Sequence, residues 1–323
     1  MTGFDLFRRS WKLTIGGPDA DNPQAKGLDV SQLPIEFKIV KSLKPTPNSA
    51  EIVVYNLNED HRAQFLKRNR PPGSGSKIAG IQVSLEAGYV GNVATILQCD
   101  LRQAVATRES VDWKLTLAGE DGGRAWREGR VNASFKKGTT IYSIAKQCAT
   151  ALGVGLGNIK TATSTASIAA SGATIPHSMT ISGSAAEGLD RVMKSAGLTW
   201  SIQNGALQIL PIGGSLKKSA LHITPSSGLI DSPAVAIDAS VSLGTPGKAA
   251  GKKTSAHPPK AKTPGIVRIK TLLIPGMVPG QIIQLDSANF HGSYVLTECQ
   301  YVGQSWGTDW CITSVARVLS TSA

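Results

Sequence analysis

Two-residue alternation of apolar and polar side chains recurs at both ends of this chain, and no other feature restricts its fold as tightly. Ile35, Phe37 and Ile39 alternate with Glu36 and Lys38, and Ile81, Val83, Leu85 and Ala87 with Gln82, Ser84 and Glu86. Val111, Trp113, Leu115 and Leu117 alternate with Asp112, Lys114 and Thr116. Successive side chains of a strand point to opposite faces, so each run describes one buried and one wet face, as in antiparallel sheets and barrels. The last third repeats the pattern in Val235, Ile237, Ala239, Val241 and Leu243, then in Val267, Ile269, Thr271 and Leu273. Stretches 293–302 and 310–319 read the same way. A 5% aromatic content with 34 glycines suits many short strands and tight turns better than a helical bundle.

One helix interrupts the first strand-rich region. Asn58 is its expected N-cap, Glu59 and Asp60 fill the first turn, and Lys67, Arg68 and Arg70 lie near its end, an order that complements the helix dipole. Pro71-Pro72-Gly73 then ends it.

Between about 130 and 212 the period changes, and a weak duplication emerges. Val131 to Phe135 reads as a strand followed by a helix from Thr140, with Ile141, Ile144, Ala145, Cys148, Ala149 and Leu152 on one face and Gly153 closing it. Met179 to Ile181 reads as the second strand, and Ser184 to Glu187 spells a capping box. Leu189, Val192, Met193 and Ala196 make that helix's apolar stripe. Asn204-Gly205 between two apolar runs predicts a type I′ hairpin, whose two central residues need φ > 0. Between the units, 161–174 reads as a surface loop.

These segments predict a mainly β chain with an α+β insertion, divided into domains at 1–125, 126–215 and 216–323. The last domain carries a Lys/Pro-rich stretch at 244–265. With Lys248, Lys252, Lys253, Lys260 and Lys262, four prolines and no acid, that stretch has too little apolar surface to bury, so an exposed loop is expected.

The chemistry-bearing residues form no catalytic constellation. Gly153 to Asn158 looks like a glycine-rich phosphate loop but follows a helix, whereas a nucleotide motif follows a strand and opens a helix. His61, His177, His222, His257 and His291 lack the spacing of metal-binding helices. Ser184 reads as a cap, Glu120-Asp121 as a polar turn before Gly122-Gly123, and Asp231 and Asp286 as turn residues. No cofactor or metal is expected.

The 34 basic against 22 acidic residues leave a net charge of +12, which attracts acidic surfaces and nucleic acid. The lysines of 248–262 form a possible basic contact loop, but they carry no interleaved aromatics of the kind that stack bases. Cys99, Cys148, Cys299 and Cys311 are widely spaced and read as buried free thiols of a protein folded in a reducing cytoplasm. The first ten residues hold Asp5, Arg8 and Arg9 and lack a signal peptide's apolar run, and no window reaches the ~18 apolar residues of a membrane-spanning helix.

Three passages resemble the phage tail hub family, which includes the late control protein D group and the central hubs of contractile-tail baseplates. The first is Ala50 to Asn58, a strand ending in Tyr55-Asn56-Leu57 and leading into the helix with Arg62. The second runs from Phe135 to Thr140 and its helix, then from Gly188 to Val192, through Leu198-Thr199-Trp200 to Asn204-Gly205. The third holds Pro279-Gly280, the strand to Leu285, Gly292-Ser293-Tyr294, Val302-Gly303 and Asp309-Trp310. Gln304 stands where the family often has Asp, and the Lys/Pro-rich stretch lies outside the pattern.

The resemblance implies two tail-tube-like antiparallel β-barrel domains with an α+β domain attached. It further implies a homotrimer forming a pseudo-sixfold ring between the tail tube and a central spike, in a virion assembled in the host cytoplasm. Tube-initiator and tape-measure proteins would be further partners, DNA would pass transiently, and no enzymatic activity would be required. The competing readings are a tail-associated enzyme that degrades cell wall and a basic nucleic-acid-binding protein.

Overall fold

The structure, a computed structural model, describes residues 8–17, 26–66, 81–159, 173–216, 219–235 and 265–319. Seventeen strands and four α-helices lie among them. The N-terminal strands are β1 (Arg9–Ile15), β2 (Leu28–Asp29), β3 (Ile35–Ser42), β4 (Asn48–Tyr55), β5 (Gln82–Tyr89), β6 (Asn92–Glu109) and β7 (Asp112–Asp121), with α1 (Glu59–Leu66) between β4 and β5. Asn58 caps α1 through Oδ1, which accepts from Asp60 N at 2.7 Å. The expected basic end of that helix and Pro71-Pro72-Gly73 lie outside the described residues.

The C-terminal strands are β12 (Leu221–Ile223), β13 (Ala234–Val235), β14 (Ile266–Leu272), β15 (Ile282–Asp286), β16 (His291–Gln304) and β17 (Trp310–Val318). Of the run from Val235 to Leu243, only Val235 is described.

The alternating runs that start at Ile35, Ile81 and Val267 bury their apolar phase, whereas Val235 is exposed. Ile35, Phe37 and Ile39 are almost fully buried, as are Val83, Leu85, Leu115, Leu117 and Ile269. The run beginning at Val111 needs a correction. Ser110 and Val111 form the β6–β7 turn, with φ of 57° at Ser110, so Val111 is 79% exposed and β7 starts one residue later.

Among the described residues none of the sheets closes into a barrel, and the strands from both ends of the chain belong to one sheet. Thirteen strands form one sheet in the order β13-β14-β17-β16-β3-β4-β7-β6-β5-β1-β2, with β15 also on β16 and β12 parallel to β15. The two ends of the chain meet where β16 pairs with β3 from Glu298↔Ser42 to Gln304↔Glu36. They share one apolar core, which draws on Leu13 to Leu117 and on Ile223 to Ala316.

The sheet curls, and side chains span where no ladder does. Trp310 Nε1 of β17 donates to the Gly88 carbonyl of β5 at 3.2 Å, although six steps of sheet order separate the two strands. Arg9 of β1 donates to the carbonyls of Gln304, Gly307 and Thr308. Trp310 packs edge-on against Phe37 and Trp11.

Between the two ends lie α2 (Gly123–Glu128), β8 (Arg130–Phe135), α3 (Ile141–Leu152), β9 (Met179–Ser184), α4 (Ala185–Ser195), β10 (Leu198–Gln203) and β11 (Ala206–Pro211). The strands of the duplicated strand–helix pattern pair with each other, β8 against β9, while β10 and β11 form the hairpin. The predicted stripes of α3 and α4 supply much of a second core running from Ala125 to Ile209. Thr140 and Ser184 cap these helices, and Gly153 ends α3 at φ 68°. The capping box spelled at Ser184 is half realised: its hydroxyl accepts from Glu187 N, but the return bond from the Glu187 side chain is not made. Of the loop expected at 161–174, residues 161–172 lie outside the described residues.

Candidate functional site

Three inward-facing rows of the main sheet end in a polar residue at the same end of the sheet. Ile35, Phe37 and Ile39 lead to Lys41; Val54, Ile52 and Ala50 lead back to Asn48; Leu115 and Leu117 lead to Asp121. All three polar residues are buried, Asp121 completely. An uncompensated buried charge is costly, so each needs partners.

The β10–β11 hairpin supplies them. Its turn holds Asn204 at φ 53° and Gly205 at φ 72°, the left-handed pair of a type I′ turn, and this aims two consecutive backbone N–H groups at one carboxylate. Asn204 N donates to Asp121 Oδ2 at 2.7 Å, and Gly205 N donates to Oδ1 at 2.9 Å. Asn48 Nδ2 donates to Asp121 Oδ2 at 3.2 Å and to the Ile202 carbonyl at 2.7 Å. Lys41 Nζ donates to Asn204 Oδ1. Gln203 Nε2 donates to the Ser42 carbonyl at 2.8 Å. Ile202 packs over Gly122, where an added Cβ would lie 2.6 Å from Ile202 Cδ1.

Burial pulls the Lys41 ammonium below its ordinary pKa, and the Asp121 charge opposes that shift. Burial likewise pushes the Asp121 carboxyl up, against Lys41 and the donors on its oxygens. Lys41 and Asp121 make no direct ion pair; Asn204 lies between them, bonded to both.

A cleft of about 560 Å³ runs beside this joint, lined by Gln98, Asp100, Asp121, Arg124, Glu128 and Asn204 among others. Of its lining acids, Glu128 pairs with Arg124 at 3.0 Å, and Glu120, next to Asp121 in sequence, pairs with Arg102 and Arg127. Burial raises the pKa of the Asp100 carboxyl, with Arg124 opposing. Of these ion pairs, Glu120–Arg127 ties the sheet to α2, whereas Arg102–Glu120 lies within the sheet and Arg124–Glu128 within α2. Among the described residues no group of three or more His, Cys, Asp or Glu could hold a metal ion, and no helix is long and apolar enough to cross a membrane.

Lys248, Lys252, Lys253, Lys260 and Lys262 of the expected contact loop lie outside the described residues, as does His257. The glycine-rich stretch after α3 is a helix exit: Gly155 bridges to Ala206, and Asn158 bonds both ways with the Ile209 backbone. His291 pairs with Asp286 at 2.7 Å on the surface. All four cysteines are free and buried. The reading of Glu120-Asp121 as a polar turn is corrected, because both residues complete β7 and Asp121 is the acceptor at the centre of the joint. A signal for the joint was present in the sequence: Lys41 and Asp121 continue the apolar phase of their strands, where a charge must be matched from elsewhere.

No protein-family model matches the chain, and no curated protein matches it by sequence. Solved structures do match in fold. The 43 kDa tail protein of prophage MuSo2 from Shewanella oneidensis superposes with a TM-score of 0.59 at 10% identity, over 96% of this chain and 98% of that one. A tail protein from Neisseria meningitidis MC58 gives 0.58 at 11% identity, over 95% and 96%. The fold is that of phage tail proteins. The E. coli c3393 protein, a type VI secretion component described as similar to the T4 tail proteins gp27 and gp5, gives 0.54 at 10% identity, over 89% of this chain and 74% of that one. In this tail-protein fold the polar joint fixes how the α+β unit sits on the end of the curled sheet.

Proposed function

We propose that this chain is a non-enzymatic structural subunit of a phage tail tip or baseplate. Three copies form a pseudo-sixfold hub ring that joins the tail tube to the central spike and leaves a pore for DNA. The observation that carries this reading is the edge-to-edge union of the two chain ends through β16 and β3, within a fold shared with tail proteins. A chain that brings two sheet regions side by side can present two subunit-like faces, so three such chains can match a six-fold tube to a three-fold spike. Ring closure between copies also removes open sheet edges, which otherwise serve as pairing templates.

In this reading the units 1–125 and 216–323 act as the paired ring modules and 126–215 as an appended module. A passage that lets DNA slide must not hold it, so only weak, non-specific DNA binding is expected despite the net charge of +12. The protein assembles in the host cytoplasm and ends in the virion tail, in contact with spike, tube or tube-initiator, and tape-measure proteins.

Native mass measurement with particle imaging tests the proposal. Three-copy rings, alone or on addition of the spike protein from the same phage, are the expected result. A compact monomer under both conditions overturns it. Lysis of purified peptidoglycan in a zymogram would favour the cell-wall enzyme instead, and tight, steeply salt-dependent DNA binding would favour the nucleic-acid reading.

A further inference from the structure

We infer that the α+β unit is a releasable cap on the end of the sheet, latched at Asn204, whose side-chain Oδ1 accepts from Lys41 and whose backbone N–H donates to Asp121. This goes beyond the ring proposal and concerns the single chain, so either can fail without the other.

Four observations carry it. The unit has its own apolar core, separate from that of the sheet. Its contact with the ends of β3, β4, β6 and β7 includes a cluster of hydrogen bonds from one turn, Ile202 to Gly205, while Gln208 bonds the Pro279 carbonyl near the exit. Polar contacts exchange for water far more readily than apolar packing does. Glycine pairs stand near both chain crossings, Gly122-Gly123 on entry and Gly213-Gly214 on exit. The cleft reaches Asp121, Asn204 and Gly205, so water has a path to the groups the turn would vacate.

The charges make release affordable. When the turn withdraws, Lys41 and Asp121 lose the residue that separates them and can neutralise each other, so neither charge is left isolated at the sheet end. The exit side stays anchored, with Leu216 N on the Gly280 carbonyl at 2.7 Å and Arg317 on the Gly214 carbonyl at 2.6 Å. The unit therefore pivots near its crossings while the hairpin tip lifts, widening the cleft into a groove along β6 and β7.

Hydrogen exchange on the full chain, read peptide by peptide, tests this against Asn204→Gly. That substitution removes the latch side chain and keeps a residue able to hold φ near 53°. Amides of 198–211 and of 121–123 should exchange at least tenfold faster, while those of 35–42 and 294–304 keep the wild-type rate. Equal acceleration in all these segments, or none in the hairpin, overturns the latch. If the variant fails to fold, wild-type exchange in rising sub-denaturing urea decides. Peptides of 123–211 opening as a group before the sheet support the cap, and a single opening shared with the sheet sinks it.

Discussion

The main sheet and the α+β unit reach comparable burial by opposite routes. Strand β3 finds its second partner, β16, some 260 residues further along the chain, and the shared core needs both ends at once. The α+β unit draws its whole core from Ala125 to Ile209, with hairpin and helix neighbours close in sequence. Non-local pairing forfeits loop-closure entropy before it gains contacts, whereas local pairing gains as it grows. The difference predicts that the insertion can fold on its own, whereas the sheet needs strands from both sides of it.

The most severe way to break that contrast is truncation after residue 216. The expected outcome is complete loss of the main core with the unit still folded. The stacked Trp126–Trp200 pair, with ring centroids 5.6 Å apart, would retain its near-ultraviolet signal. A cooperative sheet in the truncated chain, or a disordered unit, would erase the distinction.

Next in size is a pair of tryptophan deletions. Trp310→Ala and Trp200→Ala each remove a buried ring, at a cost of about 3–5 kcal/mol. Trp310 should lie at the upper end, because its loss also removes a buried hydrogen bond to the Gly88 carbonyl, whereas the Trp200 indole N–H has no hydrogen-bond partner to lose. Denaturation followed by separate probes should show Trp310→Ala weakening the sheet and Trp200→Ala the unit. A reversed assignment would mean that the cores are not independent.

Much of this architecture could be read from residue patterns. The alternating runs, the apolar stripes of α3 and α4, the caps at Asn58, Thr140 and Ser184, and the Asn204-Gly205 turn all obey local rules. What escaped is what depends on partners. Nothing near Glu298 to Gln304 announces that it will pair with β3, so two separate barrels were the natural expectation. Asp121 looked like a turn residue because Gly122-Gly123 follows it, and only the distant hairpin explains its burial. Lys41 carried a clue in its phase, but a charge on an apolar row names no partner.

Alkaline pH sharpens the comparison with a smaller effect that should be larger in the sheet, where burial also raises the Cys99 and Cys311 thiols and the Tyr301 phenol. Burial pushes the Cys299 thiol in the sheet up to about 12 and the Cys148 thiol in the unit up to about 11, from an ordinary value of 9.0. The unfolded chain ionises first, so the stability these thiols hold is fully present below pH 9 and drains away as pH rises through the folded values. At pH 10 the loss for fully buried Cys299 is about 1 kcal/mol relative to pH 8. Cys299→Ala should flatten that part of the pH profile for the sheet, and an unchanged slope would show that the thiol is not the group responsible.

The smallest effect bears on the autonomy of the unit. Thr140 accepts from Ser143 N at 3.3 Å at the start of α3, and Thr140→Ala should remove about 1 kcal/mol. If the unit folds by itself, that loss lowers the midpoint of its own transition and leaves the sheet's in place. A shift of the same size in both would mean that the contacts between unit and sheet, the Asp121 joint among them, couple the two into one cooperative body.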